Sequence, residues 1–297
     1  MFFALTALLM GILMPCIAIA QSSQTKVTLH DIFRTPAPPG DAFAQDASHV
    51  LVVMTILIPI SLGFLAFAIS ESKRFKTSIP IGLVVAGIFC VVPEAVNNYL
   101  GGVYWTQSHD PKQLLFMLMG REFDYYVAFI WWSLSSGVGV TFYAALLRRV
   151  STGTLWAYLA LAVLADIILE EILLGYGGIY LYFGHQPLVF NLFPCWWGPA
   201  NVSSLFLSIT LAYRYRAWFE GWRSIFLLPL VPTCYIGAWT LCGMPTVFAI
   251  QGDFSPLITE SAGIYTCIVA VVQSGAMMHL VLDRDPLAIS GPRKKTG

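Results

Sequence analysis

Runs of about twenty apolar residues, set apart by short polar connections, constrain this chain more than any motif does. The first covers residues 2–20, and seven more follow at about 50–70, 79–100, 125–147, 154–174, 196–213, 224–246 and 261–282. A bilayer core needs roughly 20 residues of helix to cross it, and backbone exposed to lipid must satisfy its own hydrogen bonds. The expected fold is therefore all-α, a polytopic transmembrane helix bundle of eight spans, or seven if the first run is removed. Composition agrees, with 57% hydrophobic and only 11% charged residues, where a soluble domain carries about 25% charged residues.

The first run ends Ala18, Ile19, Ala20, small residues that a signal peptidase could cut, yet it is long enough to span and begins without lysine or arginine. Residues 1–20 thus read either as a signal peptide or as a first transmembrane helix. Residues 21–48 are polar, contain Pro36, Pro38 and Pro39, and read as a lumenal or extracellular loop. Residues 49–283 form the expected catalytic bundle and 284–297 a cytoplasmic tail. No internal repeat and no separate soluble domain is evident.

Basic residues follow alternate spans. Lys73, Arg74 and Lys76 come after one, Arg148 and Arg149 after another, then Arg214, Arg216 and Arg223, then Arg284, Arg293, Lys294 and Lys295. By the positive-inside rule these connections are cytoplasmic. Every acid and amide within a span then falls in the outer half of the bilayer. A multi-pass protein of the endoplasmic reticulum or endomembrane, or of a bacterial cytoplasmic membrane, fits this distribution.

Carboxylates inside hydrocarbon cost roughly 2.5–3.5 kcal/mol each on insertion scales, so acids there call for a function. Asp166, Glu170 and Glu171 occupy the second half of one span. Asp166 and Glu170 are four apart and share a helix face, while Glu171 is turned by about 100°. Paired carboxyls in a dry site can divide into one protonated acid and one ionised base. Acids at a span end can equally well meet water at the interface. Glu94, Asn97 and Asn98 also share a face, offering one acid and two amides to a substrate oxygen, and Asp124 opens the next span.

Between the acids and the following span, residues 175–188 carry four glycines and three tyrosines before His185 and Gln186. Tyr180 and Tyr182 suit an aromatic belt at headgroup level, whereas His185 and Gln186 could reach a substrate from the pocket mouth. Trp196, Trp197 and Asn201 begin the next span. Tryptophans there anchor an interface or shield a carbocation with their π faces. The expected site is thus catalytic Glu94, Asp166, Glu170 and Glu171, with Asn97, Asn98, Asp124, Tyr180, Tyr182, His185, Gln186, Trp196, Trp197 and Asn201 binding substrate.

Absences narrow the chemistry. No span holds a lysine for a retinal-type Schiff base, and no aspartate-rich diphosphate motif or glycine-rich phosphate loop occurs. The histidines, at 30, 49, 109, 185 and 279, form no clustered boxes of the di-iron hydroxylase kind, and the six cysteines show no zinc-like spacing. Net charge is zero, which removes any global argument for nucleic acid. What remains is acid and base chemistry on an apolar small molecule, with neither metal nor cofactor, in contact with a lipid bilayer.

The order Glu171, Gly177, Gly178, Tyr180, Tyr182, Gly184, Gln186, Pro187 and Leu188, then Pro194, Trp196, Trp197 and Asn201, resembles the spirocyclase AveC-like family, membrane proteins named for a ring-forming enzyme of avermectin biosynthesis. The stretch from Glu94 to Tyr99 looks like that family's earlier acid and Asn-Tyr element, with Glu94 where an aspartate is expected. The chain is also similar in size and span count to the multispanning terpene cyclases of fungal meroterpenoid pathways. The resemblance implies an isomerase or lyase that closes a ring on a lipophilic secondary metabolite: a terpenoid epoxide first, a polyketide spiroketal second. The alternative is a lipid or sterol binding or transport protein whose acids form a proton relay.

Overall fold

The computed structural model describes residues 47–252 and 254–288. The readings of residues 1–20 and of most of the 21–48 loop lie outside them, as do Arg293, Lys294 and Lys295. The described chain is mostly helical. Five helical stretches are long and apolar enough to cross a membrane, at 47–75, 79–101, 125–147, 221–251 and 256–281.

The elements run α1 (Ala47–Phe75), α2 (Ile79–Gly87), a 3-10 turn (Ile88–Cys90) and α3 (Val91–Gly101), the last three forming one continuous rod. Then come β1 (Val103–Trp105), β2 (Leu114–Leu118), β3 (Arg121–Asp124), α4 (Tyr125–Leu147) and α5 (Thr152–Ile172), which ends in a π-turn at Leu173–Gly177. After β4 (Tyr180–Tyr182), β5 (Val189–Phe190) and β6 (Phe193–Pro194) follow α6 (Trp197–Arg214), the short α7 (Arg216–Phe219), α8 (Leu227–Gln251) and α9 (Pro256–Ala276).

The 3-10 turn has a sequence cause. Pro93 lacks the N–H that would bond the Phe89 carbonyl, and its ring crowds the preceding turn, so the rod tightens just before Glu94. Helix α5 begins with Ser151, whose hydroxyl caps the Thr154 N–H at 3.1 Å.

Helices α4, α6 and α8 form the centre of the bundle: α8 packs on α6, α9 and α2, and α4 packs on α1, α2 and α6. Helix α5 lies at the edge, showing Leu161, Leu164, Ile168 and Ile172 to its surroundings. Its buried residues are Thr152, Leu155, Leu159 and Asp166, one stripe at helical spacing. An acid therefore sits where periodicity demands an apolar residue.

The bundle has two chemically distinct ends. At one, Arg148 Nη2 lies 2.7 Å from the Glu71 carboxylate, Ser78 Oγ donates to the Gly221 carbonyl, and Arg284 donates to the Val150 carbonyl. These contacts gather the α1–α2, α4–α5 and α6–α8 connections and the C-terminal segment, which carry most of the described basic residues. At the other end Gln251 donates to the Leu100 carbonyl, and the Leu188 N–H donates to Glu260.

That second end holds what an all-α reading omits: three antiparallel two-stranded ladders, β1–β4, β2–β3 and β5–β6. In β1–β4, Val103 pairs with Tyr182, Tyr104 with Leu181 and Trp105 with Tyr180. Strands of two to five residues are too short to show the period-2 pattern that would announce them. Aromatic cross-strand packing holds the β1–β4 ladder, with Trp105 and Tyr180 ring centroids 4.3 Å apart.

The Gly101-Gly102 pair lets β1 fold back at this point. Gly102 has φ +71°, and a Cβ there would meet the Phe183 carbonyl at 2.6 Å; a Cβ on Gly101 would overlap the Trp197 ring.

Candidate functional site

Three carboxyl groups meet beneath the β1–β4 ladder. Glu94 comes from the first turn of α3, Asp166 from the buried stripe of α5, and the half-buried Glu170 from the same face one turn later. Glu94 and Asp166 are 4% and 1% exposed, which in a folded interior demands hydrogen-bond partners for each oxygen.

Partners for these carboxyls come from α6, α8, β4 and α3 itself, while Asp166 Oδ1 makes no hydrogen bond. The Glu94 Oε2 lies 3.0 Å from the Tyr235 hydroxyl of α8, and the same hydroxyl lies 3.0 Å from Asn201 Oδ1 of α6. Asn201 Nδ2 lies 3.4 Å from Asp166 Oδ2. With the Asn98 amide oriented to satisfy both neighbours, its nitrogen donates to Glu94 Oε1 at 2.6 Å and its oxygen accepts from the Trp105 indole. Glu170 Oε2 accepts from the hydroxyls of Tyr180 and, at 3.3 Å, Tyr182. Burial and then the neighbouring Glu170 carboxyl push both phenols well above their usual pKa, so they remain proton donors.

Aromatic rings wall the site. Glu94, Glu170 and Asn201 share a cavity with Trp105, Trp131, Tyr180, Tyr182, Trp197, Val103, Ile130 and Leu134. Its volume is about 10 Å³, room for about one water molecule. Trp131 packs at a tilt on Tyr235, centroids 4.8 Å apart, and Tyr182 meets Trp197 edge-on at 5.7 Å. Trp197 of the wall also packs against Trp196 and Trp239 behind it, the three rings tilted to one another with centroids 4.7–5.7 Å apart.

A larger apolar groove of about 500 Å³ opens on the outside of the bundle between the α2–α3 rod and α8, lined by Phe89, Val92, Pro93, Pro229, Pro232 and Ile236 among others. Pro93 and Ile236 are the chain neighbours of Glu94 and Tyr235, so the groove lies on the two helices that supply Glu94 and its hydroxyl partner.

The remaining expected site residues divide. Asn97 is fully buried beside Tyr235, with amide atoms that make no hydrogen bond of normal geometry. Trp196 is fully buried but lies behind the cavity wall. Gln186 spends its amide on structure, its nitrogen donating to the Gly101 and Phe183 carbonyls and its oxygen facing the Trp196 indole N–H at 3.3 Å. Asp124 is the residue preceding α4 and accepts from the Ser108 N–H at 3.2 Å. His185 lies exposed in the loop after β4.

Glu171 points away from the cluster, accepting from Asn191 Nδ2 and the Leu192 and Phe193 N–H groups at 2.9–3.1 Å. It clamps the β5–β6 turn.

Sequence reasoning missed Tyr235, Trp105, Trp131, Trp239 and Arg121. The Arg121 guanidinium lies over the rings of Tyr99, Tyr104 and Phe183 at 4.3, 5.4 and 5.5 Å and donates to the Val103 carbonyl at 2.8 Å. Burial lowers its pKa, though from a value so high that it stays charged. It fastens β1, and with it the ladder that roofs the carboxyls.

The chain matches no known protein family, no curated protein and no solved structure.

Proposed function

We propose that this protein is an integral-membrane cyclase that closes a ring on a lipophilic small molecule by general acid–base catalysis. The observation that carries the reading is the meeting of Glu94 of α3 with Glu170 of α5 in one aromatic-walled pocket, with Asp166 of α5 joined to it through Asn201 and Tyr235. A carboxylic acid among apolar walls can protonate an epoxide, ketone or alkene, and a neighbouring carboxylate can take up the proton that leaves. The π faces of Trp105, Trp131 and Trp197 attract cationic charge that develops on the substrate carbon skeleton. Of the site residues, Glu94, Asn98, Tyr180, Tyr182, Trp197 and Asn201 belong to the stretches that resemble the spirocyclase AveC-like family.

In this reading α5 and α6 also cross the bilayer. The end rich in arginine and lysine faces the cytosol, and the carboxyl cluster lies toward the opposite face. The substrate's apolar chain occupies the groove between the α2–α3 rod and α8, whose volume falls in the range of small-molecule sites. Its reactive end reaches the carboxyls when the β1–β4 ladder lifts, because the closed cavity admits only about one water molecule.

That narrowness is the one observation favouring the second reading, a lipid or sterol transporter in which the carboxyls relay protons. The two separate in one experiment. Purified protein in lipid nanodiscs is incubated with lipophilic polyprenyl epoxides and hydroxyketones without added cofactor, and proteoliposomes are tested for uptake of the same compounds. Formation of a cyclic isomer or dehydrated product supports the cyclase; vectorial uptake without conversion refutes it.

A further inference from the structure

The hydrogen bonds around Tyr235 contain a proton-counting problem. A phenol has one proton, yet the Tyr235 hydroxyl lies 3.0 Å from two oxygens, Glu94 Oε2 and Asn201 Oδ1. A carboxylate and an amide carbonyl are both acceptors, so one contact lacks a proton unless something else supplies it. Glu94 can supply it: protonated on Oε2, it donates to Tyr235, which donates to Asn201 Oδ1, leaving Asn201 Nδ2 to donate to an ionised Asp166. Glu94 Oε1 is already occupied by the Asn98 amide, which leaves Oε2 as the protonated atom.

The reverse polarity works equally well. If the Asn201 amide turns over, its nitrogen donates to Tyr235 and Tyr235 donates to an ionised Glu94. The Asn201 oxygen then faces Asp166 Oδ2, at the 3.4 Å contact, and Asp166 must carry the proton. Each polarity satisfies every contact in the chain with a single added proton, held at opposite ends. An unmatched buried acceptor costs about 1–3 kcal/mol, which disfavours the chain with no added proton.

We propose that Glu94 and Asp166 hold one proton between them, the hydrogen bonds of Tyr235 and Asn201 coupling the two sites so that protonation of one carboxyl goes with ionisation of the other. Tyr235 and Asn201 are positioning residues whose role is to couple the two acids. Glu170 stands outside this hydrogen-bond chain, its Oε2 held by Tyr180 and Tyr182. The proposal stands on hydrogen-bond geometry and does not require that the protein be a cyclase, so it can fail while that reading survives.

Infrared spectroscopy of the purified protein in nanodiscs tests it, through the C=O stretch of protonated carboxyl groups and its shift in deuterated water. The variants are Glu94→Gln, Asp166→Asn and the double, each with an amide that can replace the protonated end as a donor. Sharing predicts that each single variant loses the intensity of one carboxyl and that the double loses no more than either single. Additive losses, meaning that each acid holds its own proton, would overturn the proposal, as would an unchanged band in either single, meaning that the proton belongs to one acid alone. In a Tyr235→Phe background the coupling is cut, and the losses from the two acid substitutions become additive. Losses that stay non-additive without the phenol would also overturn it.

Discussion

Replacing Arg121 by methionine removes the fastening of the β1–β4 ladder while keeping an apolar side chain of similar length. The loss can be built from the contacts. Cation–π pairs contribute about 0.5–1 kcal/mol when exposed and about 2 kcal/mol when desolvated. The close Tyr99 ring at 4.3 Å and the more distant Tyr104 and Phe183 rings together give about 2 kcal/mol. The hydrogen bond from the guanidinium to the Val103 carbonyl adds about 1.5 kcal/mol, the lower end for a charged donor. The ladder's opening free energy should fall by about 3–4 kcal/mol, which raises local exchange roughly a hundred- to a thousand-fold.

Hydrogen exchange reads this at the Thr106 and Phe183 amides, which donate to the Ile179 and Gly102 carbonyls at 2.9 and 2.8 Å beside the ladder. Arg121→Lys should give a smaller rise, because it keeps the charge but loses the planar face that stacks on the rings. Unchanged exchange at these two amides in Arg121→Met would refute the reasoning. So would an equal rise throughout α4, α6 and α8, which would mean global loosening.

Tyr235→Phe leaves Glu94 Oε2 and Asn201 Oδ1 without their shared hydroxyl, and should cost about 2–4 kcal/mol in detergent unfolding experiments; no loss of stability would contradict the network. Glu171→Ala should lower stability by only about 1–2 kcal/mol, since the hydrogen bonds it removes are partly solvated, and should leave substrate conversion intact. Gly102→Ala forces a side chain into left-handed backbone against the Phe183 carbonyl, a strain of about 1–2 kcal/mol before any clash, and should show a lower melting temperature.

The helices were largely legible in the sequence, because long apolar runs and their flanking arginines and lysines report burial directly. Asp166 and Glu170, four residues apart, share a helix face and do meet. Glu171 shows the limit of that argument. Spacing turns it about 100° from Glu170 but says nothing of its partners, which include the backbone N–H groups of Leu192 and Phe193, 21 and 22 residues downstream. Tyr235 was illegible for another reason: within a span containing Pro232 and Trp239, one more aromatic is what packing alone would supply, and only the fold sets its hydroxyl between two helices. Trp105 and Arg121 belong to strands of three and four residues, the first in a ladder that depends on Gly102 turning the chain and the second in a hairpin that turns at Met119 and Gly120.

The central claim is that the carboxyls gathered under the ladder, and not acids elsewhere at the same end, perform the chemistry. Turnover of a lipophilic precursor should be measured for Glu94→Gln, Asp166→Asn and Glu170→Gln beside Glu171→Gln and Glu260→Gln, each verified as folded. Loss of a proton donor or acceptor typically costs ~10²–10⁴ in rate, so the first three should fall by at least about a hundredfold while the last two stay within about threefold of the native protein. Near-native turnover in all three cluster variants would contradict the account.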